Sequence, residues 1–106
     1  MKYFGIYLGT TSTCGVCFDL EKRSLRCETR ANQAWRATPR PWERVQDPAR
    51  LVSQAMGVLA ALRKRHGAPA GIGVTGQMHG IVYVDREGMA LGPLTTWQDG
   101  RAGLPR

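Results

Sequence analysis

With 106 residues, of which 42% are hydrophobic and 22% charged, the chain has room for one modest globular domain and too little for two. No stretch is apolar enough to cross a membrane, and the opening run Met1–Leu8 is too short for a signal peptide and lacks a small-residue cleavage pattern, so a soluble, cytoplasmic protein with no membrane partner is expected. The formal charge of +7 would suit a polyanion, but Arg23, Arg26, Arg30, Arg36, Arg40, Arg44 and Arg50 stand singly, and no nucleic-acid motif or aromatic-basic platform accompanies them, which sets nucleic acid aside as a partner.

Tyr3–Leu8 alternates as a strand. Gly9-Thr10-Thr11-Ser12 follows as a small, hydroxyl-rich turn, and Cys14–Leu20 reads as the returning strand of a hairpin. After the polar turn Glu21-Lys22-Arg23-Ser24, Leu25–Thr29 makes a third strand and completes a β-meander. Arg30–Gln46 carries Pro39, Pro41, Trp35 and Trp42 without periodicity and reads as an irregular loop. Asp47-Pro48 is a helix start, because the carboxylate caps free N–H groups and proline suits the first helical position. Leu51, Val52, Ala55, Met56, Val58, Leu59 and Leu62 then form an apolar helical face. Arg63-Lys64-Arg65 complements the dipole at the helix end, and Gly67 and Pro69 close it. Gly71–Thr75 reads as a buried strand, and Gly80–Val84 as another, ended by the turn Asp85-Arg86-Glu87-Gly88. Strand, strand, strand, helix, strand, strand is an α/β order with a helix on one face of a sheet. The sequence stops soon after the polar stretch ending at Arg101, so an incomplete domain is expected.

Cys14 and Cys17 have the spacing of half a metal or redox site, but Cys27, His66 and His79 supply no recognisable second half. Residues three apart on a strand also point to opposite faces. Buried free thiols are the expectation. Gly71-Ile72-Gly73-Val74-Thr75-Gly76 matches a GxGxxG pattern, yet its glycines lie within a strand and no helix follows, so a dinucleotide site is not inferred. No Walker sequence is present.

Three segments carry candidate chemistry. At the tip of the first hairpin, Gly9 lets backbone approach an anion, and Thr10 and Thr11 add hydroxyls, although such residues are also ordinary in turns. Gly76-Gln77-Met78-His79-Gly80 interrupts two apolar runs with an amide, a thioether and an imidazole, which suits contact with a small polar molecule and equally suits a core histidine. Trp97-Gln98-Asp99-Gly100-Arg101 offers an apolar wall and an acceptor, or a turn in which Asp99 and Arg101 pair.

Taken together, Gly5-Ile6-Tyr7-Leu8-Gly9-Thr10-Thr11-Ser12, Gly73-Val74-Thr75-Gly76-Gln77-Met78-His79-Gly80 and Thr96-Trp97-Gln98-Asp99-Gly100-Arg101 resemble, in order and spacing, the N-terminal region of FGGY-family carbohydrate kinases. Gln77-Met78-His79-Gly80 is similar to the form in xylulokinases and sedoheptulokinases. Glu43-Arg44-Val45-Gln46-Asp47-Pro48 and Ile81-Val82-Tyr83-Val84-Asp85 resemble sedoheptulokinases more closely. The resemblance implies a ribonuclease-H-like, actin-like ATPase fold, here an incomplete N-terminal domain spanning residues 1–106. It assigns Gly9, Thr10 and Thr11 to the phosphates of ATP. Gln77, Met78 and His79 would contact a ketose, with Trp97 against its C–H face and Asp99 accepting from its hydroxyls.

The resemblance also marks departures. The family's first strand carries an aspartate associated with magnesium and phosphate where this chain has Tyr7, and a neutral phenol cannot replace that carboxylate. The catalytic aspartate and the adenosine-binding domain of the family lie downstream of Arg106, so no catalytic residue is expected here. ATP and Mg2+ are implied for a complete kinase, with the missing C-terminal half as partner. The expected function is the N-terminal portion of a sedoheptulose or xylulose kinase, inactive by itself; the alternative is a non-catalytic remnant that binds a sugar or a partner chain.

Overall fold

Side-chain alternation in the first third of the chain produces three antiparallel strands, β1 (Lys2–Leu8), β2 (Ser12–Asp19) and β3 (Ser24–Ala31). The computed structural model describes residues 1–105. Their contacts gather into two units, Met1–Gln33 with Leu51–Gln77, and Ala34–Arg50 with the chain from Met78 onward.

In the first unit the sheet order is β3-β2-β1-β5. β5 (Gly71–Gly76) runs parallel to β1, with Tyr3 opposite Gly71 and Leu8 opposite Gly76. Helix α1 (Pro48–His66) supplies the crossover. Asp47 caps it, Oδ1 accepting from the Ala49 N–H at 3.0 Å. The chain leaves it at Gly67, whose N–H donates to the Arg63 carbonyl at 2.8 Å. Phe4 and Ile6 of β1, Cys17 of β2, and Val58 and Leu62 of α1 form one buried cluster, and each large side chain there contributes about 1.5–3 kcal/mol by leaving water. Gly15 sits where the helix crosses β2: a Cβ there would lie 2.3 Å from Val58 Cγ1. The absent side chain lets helix and sheet meet.

Several expectations are corrected in this unit. β5 is exposed rather than buried, with Val74 70% accessible, because α1 covers β1 and β2 whereas β5 lies at the sheet's edge. Val52 and Met56 are exposed, since the buried stripe of α1 is narrower, following Leu51, Val58 and Leu62. Only Cys17 is buried; Cys14 is half-buried on the opposite sheet face and Cys27 is exposed on β3.

The second unit is built differently. β4 (Val45–Gln46) pairs antiparallel with β6 (Leu94–Thr95), so the loop expected over 30–46 contains the end of β3 and all of β4. The strand expected at Gly80–Val84 does not form. Its β-branched residues make single bridges instead, Ile81 with Thr95 and Val84 with Ala90, because β6, the strand beside Ile81, is only two residues long. The expected turn at 85–88 is present: Asp85 Oδ1 accepts from the Glu87 and Met89 N–H groups, each at 2.9 Å. A short 3-10 helix, Arg101–Gly103, lies near the C-terminal end. No helix among the described residues is long and apolar enough to cross a membrane.

Candidate functional site

β1 and β5 run parallel, so their carboxyl ends lie side by side, the position where open α/β sheets present ligand-binding loops. Two of the predicted segments meet there. The Gly9 N–H closes the first hairpin by donating to the Ser12 carbonyl at 2.9 Å, and the Gln77 N–H extends the β1–β5 ladder to the Leu8 carbonyl at 3.0 Å. The Thr10 hydroxyl reaches the Gln77 side-chain oxygen at 3.4 Å. A Cβ on Gly9 would stand 2.8 Å from both the Ser12 carbonyl oxygen and the Tyr7 ring. Only glycine fits this turn.

The tip is fastened from beneath by a residue the sequence did not single out. Asn32, just beyond β3, is 1% exposed. Its side-chain nitrogen donates to the Gly9 carbonyl at 2.7 Å, and its side-chain oxygen accepts from the Thr13 hydroxyl at 2.6 Å. Its backbone N–H donates to the Thr11 carbonyl at 2.9 Å. Nothing local marks Asn32, because these partners lie about twenty residues back in the chain.

Tyr7 is half exposed and lines a shallow, apolar groove of about 400 Å³ with Gly5, Cys14, Val16, Gly73 and Thr75. The tip itself, Gly9-Thr10-Thr11-Ser12, contains no carboxylate. Among the described residues no group of three or more His, Cys, Asp or Glu side chains is placed to hold a metal ion. The tip, closed by Gly9 and bearing hydroxyls, has the chemistry to meet a phosphate, whereas it offers magnesium no carboxylate.

Within the second unit, Met78, His79 and Trp97 are all exposed, so Met78 and His79 are not core residues of this chain. His79 adopts φ 61°, a left-handed conformation unusual outside glycine. Asp99 is the contrast. Its side chain is 2% exposed, and both oxygens are engaged: Oδ1 by the Arg101 N–H at 3.0 Å and Nε at 2.8 Å, Oδ2 by the Arg44 N–H at 2.9 Å and Arg101 at 3.2 Å. A carboxylate offers about four acceptor positions, and all four are taken. The Arg101 hydrogen bond, with the Arg44 N–H, holds Asp99 well below the usual carboxylate range despite its burial. Arg101 also stacks over Trp42, 5.6 Å from the ring centroid. A cleft of this unit, about 480 Å³, is lined by Trp35, Arg36, Thr38, Glu43, Arg44 and Gln98 rather than by the predicted sugar-contact residues.

Comparison with known proteins places these features in a family context. Residues 2–103 match the N-terminal domain model of the FGGY family of carbohydrate kinases. The chain is 29% identical over 101 residues to the xylulose kinase of Escherichia coli K12, covering 93% of this chain and 20% of that protein. Among solved structures, the xylulose kinase of Rhodospirillum rubrum is similar at a TM-score of 0.85 and 31% identity, over 97% of this chain and 22% of that one. The gluconate kinase of Lactobacillus acidophilus shares the fold at a TM-score of 0.84 and 21% identity, over 96% of this chain and 20% of that one. The chain spans about a fifth of the length of these relatives.

Proposed function

Because the chain belongs to the FGGY family of carbohydrate kinases, and so carries part of the N-terminal domain of the actin-like ATPase fold, we propose that it is the N-terminal portion of an ATP-dependent cytoplasmic kinase acting on a ketose such as sedoheptulose or xylulose. The observation that carries this reading is the meeting of the Gly-Thr-Thr tip with Gln77 at the carboxyl ends of β1 and β5. A hairpin that only glycine can close, flanked by hydroxyls, suits the phosphates of a nucleotide, and Gly9, Thr10 and Thr11 are assigned that contact. Gln77, Met78, His79 and Trp97 are assigned to the sugar, the exposed ring for its C–H face and the polar groups for its hydroxyls. Asp99 belongs to the same assignment, but a sugar hydroxyl must displace one of its four present donors.

The chemistry expected of the complete kinase is in-line attack of a sugar hydroxyl on the terminal phosphate, assisted by a base. None of the described residues is that base in this reading, and Tyr7 and the residues lining its groove offer magnesium no carboxylate. The remaining four-fifths of a typical relative's length is the partner this reading requires. Turnover by residues 1–106 alone is not expected.

Titration of the folded chain with ATP, sedoheptulose and xylulose, followed by backbone NMR, tests the assignments. ATP should shift the amides of Gly9–Thr11, and a ketose those of Gln77–His79 and Trp97. A folded chain silent to all three ligands overturns the reading. ATP-dependent ketose phosphorylation by the isolated chain, free of contaminating kinase, overturns the claim that the fragment is inactive. Tyr7 favours a second reading, a non-catalytic sugar- or partner-binding remnant. Sugar shifts without ATP shifts, persisting when a carboxylate is restored by Tyr7→Asp, would select it.

A further inference from the structure

We infer that Asn32 is the positioning residue that fixes the polarity of the Gly9–Thr11 tip, an inference that rests on the phosphate-binding reading of that tip. The Gly9 carbonyl can only accept, so the amide nitrogen of Asn32 must face it, leaving the amide oxygen to accept from Thr13. Thr13 is fully buried on β2, and its hydroxyl, donating to the amide oxygen, holds the side chain in the orientation that the Gly9 carbonyl selects. With its backbone N–H on the Thr11 carbonyl, Asn32 holds two tip carbonyls at once.

The consequence follows from peptide geometry. In a trans peptide the C=O of one residue and the N–H of the next point in opposite directions, and the described chain has no cis peptide bond. Holding the Gly9 carbonyl toward Asn32 directs the Thr10 N–H the other way. A tip free to turn over would present carbonyl oxygens to an approaching phosphate, which repel it, in place of donors, which bind it. The clamp is buried and complete: among the described residues no buried side-chain nitrogen or oxygen lacks a partner. Gln33, the next residue, adopts φ 50°, so the chain turns away from β3 at once and leaves Asn32 under the hairpin. Asn32 touches no ligand itself; it acts through the backbone it holds.

The test uses the chain with Asn32→Leu, Asn32→Asp, Thr13→Val and Thr13→Ser, reading amide hydrogen exchange and, separately, ATP affinity from NMR shifts of Thr10 and Thr11. Asn32→Leu removes both side-chain bonds, Asn32→Asp removes only the donor to Gly9, and Thr13→Ser keeps the hydroxyl that Thr13→Val deletes. With Phe4 and Cys17 amides as internal references, Asn32→Leu and Asn32→Asp should speed Gly9 exchange and weaken ATP by about tenfold, the scale of one lost hydrogen bond. Thr13→Val should do so by less, and Thr13→Ser should behave as the parent. If Asn32→Leu does not fold, Thr13→Val against Thr13→Ser decides, because a purely structural role would lower global stability without separating them in ATP affinity. Unchanged exchange and affinity in folded variants overturn the inference. Altered exchange in a chain whose parent never responds to ATP overturns the phosphate reading, and with it the positioning role, leaving Asn32 a purely structural clamp.

Discussion

Val58 and Leu62 in the first unit are buried against Phe4, Ile6 and Cys17, whereas the second unit buries Gln46 and Thr96 beside Ala34 and Val45 and leaves Ile81, Tyr83, Val84, Met89 and Leu91 exposed. The first adds a buried apolar cluster to its polar clamps, Asn32 and Thr13 among them, while the second relies mainly on carboxylates and hydroxyls that organise backbone groups: Asp85 in its turn, Thr96 donating to the Arg44 carbonyl at 2.9 Å, Asp99 between Arg44 and Arg101. Apolar packing is indifferent to pH and sensitive to volume; polar turns have the opposite sensitivities. One short chain thus contains two regions that should fail under different insults.

The largest expected effect is on the apolar side. Leu62→Ala removes a side chain 1% exposed and should lower stability by about 2–5 kcal/mol, read by urea denaturation. A loss confined to the second unit's tryptophan signals would break the comparison. Asp99→Ala comes next, leaving the Arg44 N–H without its acceptor and the Arg101 guanidinium with only Glu43, 3.5 Å away, at about 1–3 kcal/mol. It should appear first in the fluorescence of Trp42 and Trp97, with the first unit's amides unmoved.

Acid sharpens the same contrast. Because the folded state depresses the Asp99 pKa, with the Arg101 hydrogen bond the largest cause, its stabilisation is fully present above the unfolded value of about 4 and fades as pH falls below it toward the folded value. Asp19 in the first unit is also lowered, chiefly by the Lys22 N–H. The second unit should nonetheless loosen first on acidification, and Asp99→Asn should flatten most of that response in a pH titration of its tryptophan emission. Asp47→Ala, which removes the α1 cap, should cost about 1 kcal/mol by circular dichroism. Breaking the Arg65–Glu28 pair, 2.8 Å apart with Arg65 largely exposed, should cost about 0.5 kcal/mol or less, a loss that moderate salt should already screen in the parent.

The elements that sequence exposed were those with local causes. Strand alternation, the Asp-Pro cap and the basic helix end gave β1, β2, β3 and α1 close to their observed bounds. What a strand faces is not local: Ile72 and Val74 read as core, yet β5 edges the sheet beyond the reach of α1. Gly80–Val84 has the composition of a strand but lacks a partner long enough to pair with it. At the candidate site the Gly-Thr-Thr tip was legible from its residue types, and so was the Asp99–Arg101 pair, whose members are two apart. Asn32 and Thr13 were not, because their bonds join residues brought near only by the meander.

The parallel pairing of β1 with β5 also orders events in time. β1, β2 and β3 pair with their sequence neighbours across short turns, while the Thr10–Gln77 contact spans 67 residues and must wait for α1 to lead the chain back. Local pairings close fastest and long loops close late. A chain made from its N-terminus therefore completes the hairpin, with Asn32 beneath it, before Gln77 has been synthesised. Refolding should show this as high φ-values for β1–β2 substitutions and low ones in β5: the Gly9–Thr11 turn is assembled first and acquires its amide neighbour last.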